Sequence, residues 1–291
     1  MNPSVPARWA IAAALAAVYL VWGSTYLAIA IGLQGYPPFA LGAIRMLAAG
    51  ALFYAVLRWR GVPAPSRVQW RNLAVMGVFM VLLANGLVNL AQTEVSSGLA
   101  AIAVASMPLF VAVFSTWRGR TLGRLEWTGI VLGLGGVALL NLGSELRASL
   151  LGMICLVLAP LSWAWGSVWS RDQDLPTPFM NAAGQMLCGG VWMLLASLVI
   201  GERFAGPPPL ASTLAVVYLT LMGSIVGFTA YVWLLHHVRP ALATSYAYVN
   251  PAIAVLLGTV VLQERFDADT WIAMAVILAS VVLVTRAPKR A

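Results

Sequence analysis

Trp22-Gly23-Ser24 returns 143 positions later as Trp165-Gly166-Ser167, and Pro108 returns at the same offset as Pro251 inside a similar apolar segment. The chain reads as two copies of one unit, residues 1–147 and residues 148–291. If each copy holds an odd number of membrane spans, the second lies upside down relative to the first, as in many carriers.

Composition names the solvent. Hydrophobic residues make up 61% of the chain and charged ones 9%, and the mean hydropathy is +0.89, far from the balance of soluble domains. The net charge of +8 comes from arginines that punctuate apolar runs rather than from a basic face, which leaves nothing to grip nucleic acid. Cys155 and Cys188 fall inside apolar runs, too few and too far apart for a metal cluster or disulfide framework, and read as packing residues. Arg8 before an alanine-rich run has the look of a signal peptide. The run continues through Tyr19 to Tyr26, however, and reaches spanning length, so a retained first helix is expected.

Cutting the chain into runs near the roughly 20 residues that cross a bilayer gives ten helices: about 9–31, 38–58, 71–91, 98–117, 125–142, 149–169, 178–200, 211–235, 241–262 and 269–286. The breaks carry proline and glycine, as in Gly35-Tyr36-Pro37-Pro38 and Gly206-Pro207-Pro208-Pro209, and are too short for a soluble domain. With both termini cytoplasmic, Arg8, Arg58, Arg60, Arg67, Arg71, Arg118, Arg120, Arg124, Arg171, Arg239, Arg286, Lys289 and Arg290 all lie inside. Only Arg147, Arg203 and Arg265 then lie outside, together with Glu94, Glu145, Glu202, Glu264, Asp267 and Asp269. The expected fold is all-α: ten transmembrane helices, as two inverted five-helix repeats around a central cavity, in a bacterial inner membrane.

With these positions in hand, the chain resembles the drug/metabolite transporter superfamily in its EamA-type branch. The resemblance rests on Trp22-Gly23-Ser24, on Pro38-Phe39 followed by Arg45, on Ser106-Met107-Pro108, and on Glu126 with Gly129, Gly133 and Gly136. In the second copy, Trp165-Gly166-Ser167, Pro178-Phe179, Val249-Asn250-Pro251 and Glu264 repeat the theme, while Gln185 stands where the first copy has Arg45. The resemblance implies a cavity lined by helices 1, 3, 4, 6, 8 and 9, with helices 5 and 10 packed together at one end. Small residues at helical spacing, Gly129, Gly133 and Gly136 with Ala275 and Ala279, suit close packing in lipid. They serve equally as a dimer face, so monomer and homodimer both remain open. Pro108 and Pro251 deprive a carbonyl of its partner near mid-membrane, and read as hinges or as plain kinks.

Polar residues are costly in a bilayer and so mark candidate sites. Asn85, Asn89 and Gln92 fall at i, i+4 and i+7, against Phe228, Val232 and Leu235 in the second copy. Conversely Ala103, Ala105 and Met107 align with Tyr246, Tyr248 and Asn250, small residues facing large ones across a void. Trp22, Trp163 and Trp165 lie deep in their helices, whereas Trp9, Trp59, Trp70, Trp117 and Trp127 suit the interfacial belt. The substrate-binding set expected is Trp22, Asn85, Asn89, Trp163, Trp165, Tyr246, Tyr248 and Asn250, with interhelical bonding and packing as the alternative role.

Charge narrows the cargo. No Asp or Glu sits near a helix centre to balance a lipophilic cation, and no cluster of Lys or Arg is present to clamp a phosphate. Arg45 is the lone deep base, either a carboxylate ligand or a structural group, with Gln185 as its counterpart. A small zwitterion fits best, an amino acid and an aromatic one among them; in this respect the chain resembles bacterial exporters of the YddG type. Enzyme motifs such as G-x-S-x-G and H-E-x-x-H are missing, and His236 and His237 lie a membrane thickness from the outer acids, so neither cofactor nor metal is expected. The partners expected are a small-molecule substrate and the lipid bilayer.

Overall fold

The computed structural model describes residues 8–119, 121–142, 149–238, 242 and 245–286. Arg120, Glu145, Arg147, Arg239, Lys289 and Arg290, the junction of the two copies, and most of the expected start of the ninth helix lie outside the described residues. No strand occurs among the described residues. The helices are α1 (Arg8–Leu33), α2 (Pro38–Trp59), α3 (Arg67–Ala91), α4 (Ser97–Thr116), α5 (Arg124–Leu142), α6 (Leu150–Trp169), α7 (Pro178–Val199), α8 (Leu210–His237, in consecutive segments), α9 (Tyr246–Val261) and α10 (Ala268–Arg286). Seven of them are long and apolar enough to cross a membrane, and Val249–Val261 and Ala268–Val284 are shorter apolar stretches.

Local chemistry sets the ends. Pro38 and Pro178 open α2 and α7 at the position where a missing N–H costs nothing. Gly61 and Gly201, at φ +80° and +72°, follow the C-terminal ends of the same two helices. Ser66 and Gln69 form a reciprocal capping box at the start of α3. Two glutamates of the second copy cap helices of the first. Glu202 accepts from the Phe39 and Ala40 amides at 3.0 and 2.8 Å, and Glu264 accepts from those of Ser97 and Gly98 at 2.7 and 3.1 Å. Each carboxylate thus satisfies two orphan donors and faces the positive end of a helix dipole.

The two most extensive helix pairs are α2 with α7 and α5 with α10. Both are reciprocal. A Cβ at Gly50 would stand 2.9 Å from the Leu187 amide nitrogen, and one at Gly190 the same 2.9 Å from that of Leu47. In the other pair Gly133 abuts Ser280 and Gly136 abuts Ile277. In each case the number rises on one helix as it falls on the other, so equivalent helices of the two copies pack antiparallel. Ala275 and Ala279, expected in this packing or in a dimer face, do not meet α5. The face of α10 turned to the α5 glycines carries Ile277, Ser280 and Val284, and the two alanines fall on the exposed side. Spacing alone does not choose between the two faces, because the contacting residues are set by the partner helix.

Two features break helical regularity at matching places. α3 is π-helical over Gly77–Gly86 and α8 over Leu219–Val226. α4 breaks at Ala105-Ser106, just before Pro108, where the Ser106 amide and hydroxyl both donate to the Ala103 carbonyl at 3.1 and 2.6 Å. α9 runs unbroken through Pro251; the turn before it falls at Ser245, whose amide and hydroxyl both donate to the Leu242 carbonyl at 3.3 and 2.6 Å. The residue aligned with Ser106 is Val249, which has no hydroxyl to compete for the backbone.

Candidate functional site

A cavity of about 170 Å³ lies between the two copies, more than ten times the roughly 10–15 Å³ that one water requires. Its walls come from α1, α2, α3, α4, α6, α7, α8 and α9. The two π segments contribute Met80, Val81, Ala84 and Asn85 on one side and Gly223 and Ser224 on the other. A π turn loosens the regular ladder and tends to occur at functional sites. Here polar side chains bond to carbonyls within both segments. Asn85 Nδ2 donates to the Met80 carbonyl at 2.8 Å, Ser224 Oγ to that of Leu219 at 3.1 Å, and Trp22 Nε1 to that of Gly223 at 3.0 Å.

An aromatic wall closes one side. The Trp22 ring lies 4.8 Å from that of Tyr246, 5.3 Å from Tyr231 and 5.7 Å from Phe228, and Tyr231 lies 5.5 Å from Tyr246. These distances are in the range where edge-to-face pairs add to apolar burial. Gly227 makes room for the indole, since a Cβ there would collide with Trp22 Nε1. Met46, Met80, Met107 and Met186 supply much of the remaining lining. Unbranched thioethers are flexible and polarizable and adapt to surroundings of different shapes.

Of the expected residues, Trp22, Asn85, Trp163, Tyr246, Asn250, Arg45, Gln185 and Pro251 line this cavity. Asn89 does not: it is buried, and its Nδ2 donates to the Pro38 carbonyl at 3.0 Å, tying α3 to the start of α2. The spacing argument assumed one α-helical wheel, but Asn85 belongs to the π segment and Asn89 to the α-turns after it. Trp165 also points away. It is 37% exposed and packs on Phe114 and Trp117 at 5.6 and 5.9 Å, because residues two apart on a helix face opposite sides. Pro108 itself stands back while Met107 lines the wall. The Tyr248 side chain lies outside the described residues.

Sequence reasoning missed Thr25, Pro160, Ser224, Met46, Met80 and Met186 as cavity residues. Pro160, inside α6, was the most legible of them, since a mid-helix proline marks a carbonyl left without its donor. Arg45 is the one charged residue among those lining the cavity. The described residues offer no group of three or more His, Cys, Asp or Glu that could hold a metal.

Residues 8–142 and residues 150–286 each match the EamA-like transporter family. The chain belongs to that family. As an EamA-like protein of the drug/metabolite transporter superfamily it is a transporter, not an enzyme. It is 44% identical to the "Uncharacterized inner membrane transporter YedA" of Escherichia coli over 94% of this chain and 89% of that one. It is 25% identical to the "Uncharacterized transporter sll0355" of Synechocystis, over 94% and 88%, and 26% identical to a chloroplastic WAT1-related protein of Arabidopsis thaliana, over 91% and 67%. A crystal structure of 22% identity superimposes with a TM-score of 0.66 over 95% of this chain and 97% of the other, which carries the likeness of fold.

Proposed function

We propose that this EamA-like protein is a secondary carrier of small zwitterionic metabolites, amino acids and aromatic ones among them, working by alternating access in a bacterial inner membrane. The observation that carries the reading is the cavity. It is walled by rings and thioethers, holds one cation and a few amides, and is enclosed by helices of both copies. Such a site suits an organic solute with an apolar body and a charged end. Among the described lining residues no carboxylate is present to balance a cationic drug, and one arginine is too few to clamp a phosphate ester.

Ten spans in two inverted halves, with both termini cytoplasmic, complete the proposal. Its support is the antiparallel reciprocity of α2 with α7 and of α5 with α10, because a twofold axis in the membrane plane runs equivalent helices in opposite directions. Purified protein in liposomes loaded with unlabelled phenylalanine tests the function. Saturable uptake of labelled phenylalanine, accelerated by the internal pool, is expected. Linear, non-saturating flux points to a pore, and failure of every amino acid to move removes the substrate class. A reporter fused after Ala291 that works only in the cytoplasm is the matching result for topology.

A further inference from the structure

Arg45 is 7% exposed and lines the cavity, yet its environment is nearly uncompensated. Nε donates to Ser224 Oγ at 3.0 Å, and among the described residues no carboxylate pairs with the guanidinium. A guanidinium has five N–H donors in a planar fork shaped to receive a carboxylate. A buried cation without a counter-charge is expensive, and a ligand that supplies one recovers that cost on binding. Gly223 borders the fork: a Cβ there would stand 3.4 Å from Arg45 Nη2, an ordinary contact distance, and 3.2 Å from Thr25 Cγ2. Gln185, the counterpart of Arg45 in the second copy, is 6% exposed and lines the same cavity.

The other charge of a zwitterion finds acceptors elsewhere on the wall. Asn250 Oδ1 is buried without a partner. Pro108 and Pro251 cannot donate to the carbonyls of Val104 and Ala247, four residues before them, and both of those residues line the cavity. We infer that Arg45, with Gln185 beside the same cavity, is the carboxylate subsite of the carrier, and that Asn250 with the Val104 and Ala247 carbonyls receives the ammonium. The inference rests on the carrier reading above and adds which end of the cargo each wall holds.

Three competitors separate the two ends in counterflow of labelled phenylalanine: phenylalanine itself, 3-phenylpropionate, which keeps the carboxylate, and phenethylamine, which keeps the ammonium. Phenylpropionate is expected to compete within a few-fold of phenylalanine. Phenethylamine should be at least about tenfold weaker, the scale of losing one charge-assisted hydrogen bond. Arg45→Gln abolishes that difference, Arg45→Lys restores part of it, and Gln185→Ala, which leaves the guanidinium in place, gives a smaller loss in the same direction. Thermal melting of detergent-solubilised protein with the same compounds distinguishes the two failures. If phenylalanine is not carried but phenylpropionate stabilises the parent and not Arg45→Gln, the amino-acid reading falls and the subsite stands. Equal competition by phenethylamine, a phenylpropionate shift that survives Arg45→Gln, or neither counterflow nor any shift in the parent overturns the subsite.

Discussion

α5 with α10 and α3 with α8 are both pairs of equivalent helices from the two copies, and the chain treats them in opposite ways. The first pair is closed: Gly129, Gly133 and Gly136 let Ser280, Ile277 and Val284 approach until no side chain could be added. The second is held open: each member is π-helical at its middle, and between them stand Trp22, Asn85, Ser224 and an unfilled volume. In lipid, where association depends on packing and interhelical bonds rather than on hydrophobicity, small residues make a fixed joint. Irregular backbone is tolerated only where protein or a wet cavity covers it. On the carrier reading stability is expected to rest on one pair and selectivity on the other, and substitutions should separate the two properties.

The largest effect is expected at the joint. Gly133→Leu drives a side chain into Leu109 and Ser280, which a Cβ alone would already overlap. The cost should exceed about 3 kcal/mol, the upper end of overpacking, with loss of monodisperse protein on size exclusion. Gly135→Leu is the control, since nothing lies within 4 Å of a Cβ there, and it should melt with the parent. If both behave alike, the joint is not where stability resides.

Next comes the open pair. Tyr246→Ala removes a ring packed on Trp22 and Tyr231 and widens the cavity. Transport should fall at least about tenfold, as the loss of one aromatic contact of roughly 1.5 kcal/mol with its burial implies, while the protein remains folded. A variant that melts early instead would move Tyr246 from cargo contact to scaffold.

The latching glutamates lie between these extremes. Glu202→Gln and Glu264→Gln keep shape but discard the charge that faces two amides at a helix start. Each should lower stability by about 1 kcal/mol, read as a modest fall in melting temperature, without altering which solutes compete.

How much of this was legible follows from which physics each feature obeys. The apolar runs, the doubled Trp-Gly-Ser and the proline-opened helices are properties of single stretches, and α1 to α8 fall within a few residues of where composition puts them. Pro108 and Pro251 looked equivalent because their prolines are. What separates them is where a serine competes for the backbone: Ser106 does so two residues before Pro108, whereas in the ninth helix Ser245 does so six residues before Pro251, with Val249 at the position aligned with Ser106. The π segments left no trace in hydropathy, since a π turn draws on the same apolar residue types as an α turn and changes only their rotation about the axis. That rotation divided Asn85 from Asn89. Ala275 and Ala279 show the same limit: period is written in the sequence, but the phase of the face is chosen by the partner helix.

The smallest effects sharpen the comparison most, because they pit neighbours against each other. Asn85→Ala removes an amide on the cavity wall and a bond to the Met80 carbonyl. A several-fold loss of transport is expected, on the scale of one neutral hydrogen bond of about 1 kcal/mol. Asn89→Ala, one turn along, frees the Pro38 carbonyl instead and should appear in melting temperature with transport per folded molecule unchanged. Trp165→Ala completes the set. Two residues from the cavity-lining Trp163 but turned toward Phe114 and Trp117, it should alter transport by less than about twofold. A Trp165 variant that fails like one at Trp163 would mean that the wall of the pathway extends past the cavity to the aromatic cluster at the end of α4, and the division between joint and chamber would have to be redrawn there.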